Sequence, residues 1–264
     1  MIKQTTLQST NTSANTFLKV GCVSTLHGTA CPVLGNVWNQ FEQIRDVHFN
    51  ATSPFKPEML DDIRKSLLVD LDYKVPINYM KGAGDTYFSG KMLAKLARVI
   101  QIGSEVASLS HRNKHSKWLS AFSVKHTAAL DRLRSGVEIW LNGSAMAPLV
   151  FDDSWGGIVG CGCDFDGGTD GCNNKFPVCP ALVDPGQNYG SGFYNDHHFH
   201  YGYHIYAAAI LTKFDHKWGR EYHEHVLCLI RDIANPSESD PFFPMWRHKD
   251  WFVFYRIGFS FLKC

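Results

Sequence analysis

Nowhere does this chain offer the ~18 consecutive apolar residues that a membrane-spanning helix requires, so none is expected. Charge of one sign is also missing. Twenty-six Lys and Arg stand against 25 Asp and Glu, for a net charge of +1, and no basic block occurs. Binding to nucleic acid or to an anionic membrane needs a concentrated positive face, so neither partner is expected. The opening Met1-Ile2-Lys3-Gln4-Thr5-Thr6 lacks the apolar core of a secretory signal peptide, and no such peptide is expected in this chain. No internal repeat is visible. A neutral polymer fits this balance, and so do most metabolites.

What remains is a globular composition, 44% hydrophobic and 19% charged over 264 residues, enough for one large domain or two small ones. Aromatics reach 13%, with seven Trp and eighteen Phe, which a large core alone explains about as well as a ligand site does.

Four of the eight cysteines, Cys161, Cys163, Cys172 and Cys179, fall within nineteen residues. The surrounding segment is full of Gly, Asp, Asn and Pro and reads as loop. Four sulfurs can complete a zinc tetrahedron, but the spacing lacks the paired CxxC knuckles of common zinc folds. Two disulfides stapling a long surface loop fit better and imply an oxidising compartment. Cys22, Cys31, Cys228 and Cys264 show no local pattern. Asn11-Thr12-Ser13, Asn50-Ala51-Thr52 and Asn142-Gly143-Ser144 match the N-glycosylation acceptor triplet, a pattern that also arises by chance.

Residues 1–24, rich in Ser, Thr and Asn, read as a flexible lead-in, and residues 25–82 as a small mixed α/β segment. Within the latter, residues 33–38 suggest a short strand beside a turn, and residues 57–71 an amphipathic helix started by Pro54 and Pro57. A long helix follows, capped by Asp85 or Thr86, with Phe88, Met92, Leu96, Val99, Ile100 and Val106 on one stripe. The spacing of Trp118, Phe122, Ala129, Leu133, Val137 and Trp140 predicts a second over 116–141. Further helices are expected over 196–213 and 218–233. Long helices joined by long loops point to a mainly α fold of toroid type.

The run Tyr194-Asn195-Asp196-His197-His198-Phe199-His200-Tyr201-Gly202-Tyr203-His204 carries one carboxylate, four imidazoles and four aromatic rings. Aromatic faces pack on the C–H faces of sugar rings, polar side chains hold hydroxyls, and a carboxyl group can protonate a glycosidic oxygen. A carboxyl at a helix start crowded by rings can be desolvated and its pKa raised, against the helix N-terminus, which favours the ionised form by ~0.3–1 kcal/mol. The bland alternative is that Asp196 is a helix cap. His200 and His204, one turn apart, could hold a metal in principle, but no HExxH glutamate accompanies them.

This run, together with Asp85-Thr86-Tyr87-Phe88-Ser89-Gly90-Lys91, Asp152-Asp153-Ser154-Trp155-Gly156-Gly157, Leu229-Ile230-Arg231-Asp232-Ile233-Ala234-Asn235-Pro236, and Phe243-Pro244 with Arg247 and Asp250, resembles glycoside hydrolase family 81 over roughly residues 25–255. The resemblance implies an endo-acting hydrolase of β-1,3-glucans with an inverting mechanism, and an incomplete (α/α)6 barrel over residues 83–264 with the Cys/Gly-rich loop at 156–193. It implies Asp196 as the general acid, Asp152 as an assisting carboxylate, and Trp155, Asn195, His197, His198, Phe199, His200 and Tyr201 as substrate-binding residues. Asp232 is expected to cap its helix or pair with Arg231. No metal or cofactor is implied. The partner is β-1,3-glucan, the chain is expected to be a monomer, and the location extracellular or cell wall.

One departure stands out. An inverting glycosidase needs a second carboxylate as base, ~6.5–9.5 Å from the acid, and the family's lies downstream of the Phe-Pro/Arg/Asp motif. No Glu follows Asp250 here, so this chain is expected to carry the acid half of the machinery and to hydrolyse poorly or not at all. The apolar stretch from Asp250 to Cys264 reads as a truncated or altered end. A non-catalytic β-glucan-binding protein and an unstable fragment are the alternatives.

Overall fold

The computed structural model describes residues 16–17, 21–25, 28–34, 56–112 and 116–248. Pro54, most of the expected turn at 33–38, the triplets at Asn11 and Asn50, and the tail from Asp250 lie outside them. The chain divides into two units, residues 1–52 with 260–264, and residues 53–259.

In the first unit, β1 (Thr16–Phe17) pairs antiparallel with β4 (Val33–Leu34), and β2 (Val23–Thr25) with β3 (Gly28–Ala30). A Cys22–Cys31 disulfide ties the second ladder, a bridge that the spacing of these residues does not announce.

The second unit is mostly helical. After a 3-10 turn at Pro57–Met59 come α1 (Leu60–Asp70), α2 (Ile77–Met80), α3 (Thr86–Arg112) and α4 (Ser116–Leu141). Pro57 starts that turn, where a missing N–H costs nothing. Apolar periodicity sets the buried faces. Leu93, Leu96, Ala97 and Ile100 of α3 meet Ala129, Leu133 and Val137 of α4 in one core. The face Leu60–Arg64–Leu67 of α1 closes a smaller cluster with Val106, and Trp118 Nε1 donates to Arg64 O at 2.9 Å.

Two hairpins and the stapled loop follow. They comprise β5 (Leu149–Asp152) with β6 (Gly157–Gly160), β7 (Phe165–Asp166) with β8 (Gly171–Cys172), and 3-10 segments at Pro180–Leu182 and Gln187–Phe193. The disulfides are Cys161–Cys179 and Cys163–Cys172, as the loop reading expects.

Then comes α5 (His197–Phe214). The single helix expected over 218–233 is instead two, α6 (His216–Glu221) and α7 (His223–Ala234), broken at Tyr222. Asp215 explains the early start: its Oδ1 accepts the backbone N–H groups of Lys217 and Trp218 at 3.1 and 3.0 Å.

Pairings along the helices define their directions. Gly90 lies against Tyr203 and His204, and Lys213 Nζ donates to Gln101 Oε1 at 3.0 Å, so α3 and α5 run parallel. A Cβ at Gly90 would stand 2.8 Å from the His204 ring, so glycine is what lets these two helices approach there. Phe122 packs on Gly103 and Leu93 on Gly136, so α4 runs antiparallel to both. The N-termini of α3 and α5 therefore share one end of the bundle with the C-terminus of α4. Among the described residues no helix is long and apolar enough to cross a membrane.

Leu133 has no exposed surface in this core. Leu133→Ala is expected to lower unfolding free energy by ~2–5 kcal/mol in a urea titration; a loss under about 1 kcal/mol would mean that α4 is not packed as described.

Candidate active site

The shared end of α3 and α5 carries the residues singled out above. Between the stapled loop and α5 the backbone turns left-handed at Asn188, Tyr189, Gly190, Tyr194 and Asp196, with φ between 47° and 78°. Non-glycine residues held there store strain that surrounding contacts must hold in place. Asn188 shows how: its Oδ1 accepts from Thr86 N at 2.8 Å and Thr86 Oγ1 at 2.9 Å, so the loop caps α3 from outside. Asp85 caps it from within, Oδ1 accepting Phe88 N–H at 2.6 Å.

Asp196 occupies the N-cap position of α5, φ 53°, yet its side chain caps nothing. The carboxylate is exposed, and Asn195 Nδ2 donates both to Asp196 Oδ2 at 3.2 Å and to Tyr189 O at 3.0 Å. Asp196 is thus exposed, where the crowded run suggests an enclosed group. The cap alternative fails too.

Of the expected substrate-binding residues, Trp155, Asn195 and Phe199 are exposed and His198 is half-buried. His197, His200 and Tyr201 are buried, which corrects their expected contact with a ligand. Tyr201 donates through its hydroxyl to Ile158 O at 2.8 Å. His197 Nδ1 lies 2.6 Å from Asp232 Oδ2 and its Nε2 2.8 Å from Ser191 O, with neither side chain exposed. Asp232 Oδ1 accepts Ile158 N–H at 3.0 Å. The expectation that Asp232 caps its helix or pairs with Arg231 is therefore wrong. Arg231 grips Asp240 through two bonds of 2.8 and 2.7 Å instead.

Asp152 ends β5. Its Oδ1 accepts Ser154 N–H at 2.9 Å and its Oδ2 the Tyr194 hydroxyl at 2.9 Å. Burial, then the Asp152 carboxylate, push the Tyr194 hydroxyl well above the usual phenol range. Arg247, quoted above only as part of a motif, links these parts. Its Nη2 donates to Trp155 O at 2.8 Å and Gly156 O at 2.7 Å, its guanidinium sits 3.9 Å from the Tyr194 ring centroid, and its Nε lies 3.8 Å from Asp232 Oδ1. It thus holds the hairpin tip that bears Trp155, whose side chain stands in solvent.

On the α3 side, Tyr87 is the centre of a ring cluster with Phe88, Tyr189, Phe199, His200 and Tyr203, at centroid separations of 4.7–6.1 Å. Tyr189 comes from the loop and had no periodic signal to mark it. Burial raises the Asp85 carboxyl above its ordinary value.

The ligating atoms of His197, Asp232 and His248 lie within 4.8 Å of one another. Two of the three are already bonded: both His197 nitrogens are engaged, one of them by Asp232, and Arg247 places a cation beside Asp232, while the His248 ring packs on His197 at a centroid separation of 5.8 Å.

With this geometry in view, comparison with known proteins identifies the class. Residues 55–261 match the model of the glycosyl hydrolase family 81 C-terminal domain, and the chain belongs to that family. It is 28% identical over 211 residues to "Glucan endo-1,3-beta-D-glucosidase 2" of Saccharomyces cerevisiae, covering 77% of this chain and 23% of that protein. It is 30% identical over 172 residues to a glucan endo-1,3-beta-D-glucosidase of Thermobifida fusca, covering 63% and 18%. A solved family 81 structure from Clostridium thermocellum aligns at 25% identity with a TM-score of 0.49, covering 88% of this chain and 27% of that one. The chain spans about a quarter of the length of the first two glucanases it matches.

Two predictions follow from the buried histidines and from Arg247. Desolvation depresses His200, His204 and His248 from 6.5 to about 4 each. The unfolded chain therefore takes up these protons before the folded one does, and stability is lost as pH falls from about 6.5 to about 4. Asp85, whose raised pKa acts in the opposite sense, offsets part of this. The fully enclosed His204 contributes a slope of up to ~1.4 kcal/mol per pH unit. Melting temperature against pH should fall across that window, less steeply in His204→Gln; a flat profile would contradict it. Separately, Arg247→Ala should speed amide exchange in the turn 152–157 while leaving α4 protected. Unchanged exchange there would show that the turn holds without the clamp.

Proposed function

We propose that this chain is part of the catalytic barrel of an endo-acting β-1,3-glucan hydrolase, with Asp196 as the general acid. The observation that carries this reading is Asp196 itself: an exposed carboxylate on a strained backbone that caps no helix, flanked by exposed rings, in a chain of family 81. Relatives printed as glucan endo-1,3-beta-D-glucosidases support the substrate class.

On this reading α3, α4 and α5 are successive helices of an incomplete (α/α)6 barrel, a parallel pair joined by an antiparallel return. Trp155 and Phe199 offer ring faces to pyranose C–H groups, Asn195 and His198 meet hydroxyls, and Asp152 assists through Tyr194. His197, His200 and Tyr201 act from beneath by fixing the α5 start. The division into residues 1–24, 25–82 and 83–264, the monomeric state and a place outside the cell or in the wall belong to the same proposal. The three disulfides agree with that location.

The 264 residues contain no glutamate beyond Glu238, so by themselves they offer no glutamate base after the Phe243-Pro244 and Arg247 motif. These 264 residues taken alone are therefore expected to grip laminarin without turning it over. In affinity electrophoresis through laminarin, wild type and Asp196→Asn should be retarded alike and Trp155→Ala less, with reducing-end release at background. Absent retardation overturns the glucan reading. Normal turnover that Asp196→Asn abolishes overturns the claim of inactivity and leaves the acid assignment standing.

A further inference from the structure

We infer that Asn142 is an N-glycosylation site, carrying an oligosaccharide on the same end of the helix bundle as Asp196. Of the three acceptor triplets in the sequence, Asn142-Gly143-Ser144 falls among the described residues, and its geometry suits the modification. It forms the C-terminal cap of α4. Asn142 N–H closes the last turn on Glu138 O at 2.8 Å, Gly143 takes φ 73°, and Ala145 N–H returns to Ile139 O at 2.9 Å. All three residues of the triplet are exposed, whereas Ala145 and Ala147 turn inward. Nothing lies within 4 Å of a Cβ placed on Gly143, so the turn has open space around it.

The side chains within the triplet are also arranged for the chemistry. Asn142 Oδ1 accepts Ser144 N–H at 3.0 Å and the Ser144 hydroxyl at 2.6 Å. Both bonds use the carbonyl oxygen, and neither uses the amide nitrogen. Hydrogen bonds into that oxygen favour the charge-separated form of the amide, which acidifies its N–H. Transfer needs that proton to leave. Asn142 Nδ2 bonds to C1 of a polyprenyl-pyrophosphate-linked oligosaccharide, the C1–O bond to the pyrophosphate breaks, the amide loses one proton to a base, and the polyprenyl pyrophosphate departs. The three disulfides call for an oxidising lumen, the compartment type in which such carriers are used. Because the cap backbone is bonded independently of the amide nitrogen, the attached sugar leaves the turn intact.

The test is expression of the full chain behind a secretion leader in a yeast host. Material from the medium and from the endoplasmic-reticulum lumen is digested with peptide N-glycosidase in heavy-oxygen water. The peptide spanning Gly136 to Met146 is then read by mass spectrometry. Conversion of Asn142 to labelled Asp is expected in wild type and in Ser144→Thr, and is lost in Ser144→Ala and Asn142→Gln. Separate peptides report Asn11 and Asn50. Recovery of unmodified Asn142 from both fractions in wild type and Ser144→Thr overturns the inference, as does labelling that persists in Ser144→Ala. Glucan binding enters neither outcome, so this result and that of the laminarin experiment are read independently.

Discussion

The start of α5 hangs on one buried contact, His197 against Asp232. Thirty-five positions separate the two in sequence, and neither side chain reaches solvent. Breaking such a pair on one side typically costs ~3–5 kcal/mol, because the other member is left buried and uncompensated. Asp232 also takes the Ile158 N–H of β6 and lies beside Arg247, so one carboxylate ties α7, the β5–β6 hairpin and the first residue of α5 together. Asp196 is the next residue back along the chain. Its position is thus inherited from a buried anchor one peptide away, which leaves its own carboxylate without a structural duty.

The loop before α5 is held by the same economy of shared groups. A helix N-terminus leaves N–H groups without partners, and an irregular loop leaves carbonyls and side-chain amides without partners. Asn188 resolves both at once by accepting from Thr86. Ser191 extends the tie: its Oγ accepts Gly160 N–H at 3.0 Å while its carbonyl faces His197. Because α3 and α5 run parallel, these ties gather at a single end, and the disulfide-stapled segment is closed on itself by Ala181 N–H donating to Cys161 O. Strain at four left-handed non-glycine residues is tolerated because so many partners fix them.

Much of this was legible in advance, and the rest failed for identifiable reasons. Helix α4 lies at its expected bounds and α3 begins at the expected Thr86, because their apolar residues recur at helical spacing over many turns, and α5 falls within one residue of the expected 196–213. The break at Tyr222 had no proline to signal it, and Gly219 stands inside α6; Asp215, seven residues earlier, was a sign only of the early start. Within the His-rich run, composition suggested a cleft wall and treated its members alike. The spacing 197, 200, 201, 204 is one face of a helix, and that face is inward. Residues 198 and 199 lie on the other side. The Asp232 pairing and the role of Arg247 are contacts across 35 and 92 positions, which no local pattern encodes.

The role proposed for Asp196 sets a condition on its surroundings. A carboxylate that is to meet a ligand must not be committed to holding the fold together, because its acceptor capacity is then already spent. Asp196 caps no helix, and its Oδ2 takes the Asn195 amide, whose Nδ2 also reaches Tyr189 O. The work of fixing the α5 start falls to His197 instead, one residue on, through Asp232 and Ser191 O. Burial of that pair and exposure of its neighbour are therefore two sides of one arrangement: the first residue of the helix is held from below, so the residue before it can face solvent.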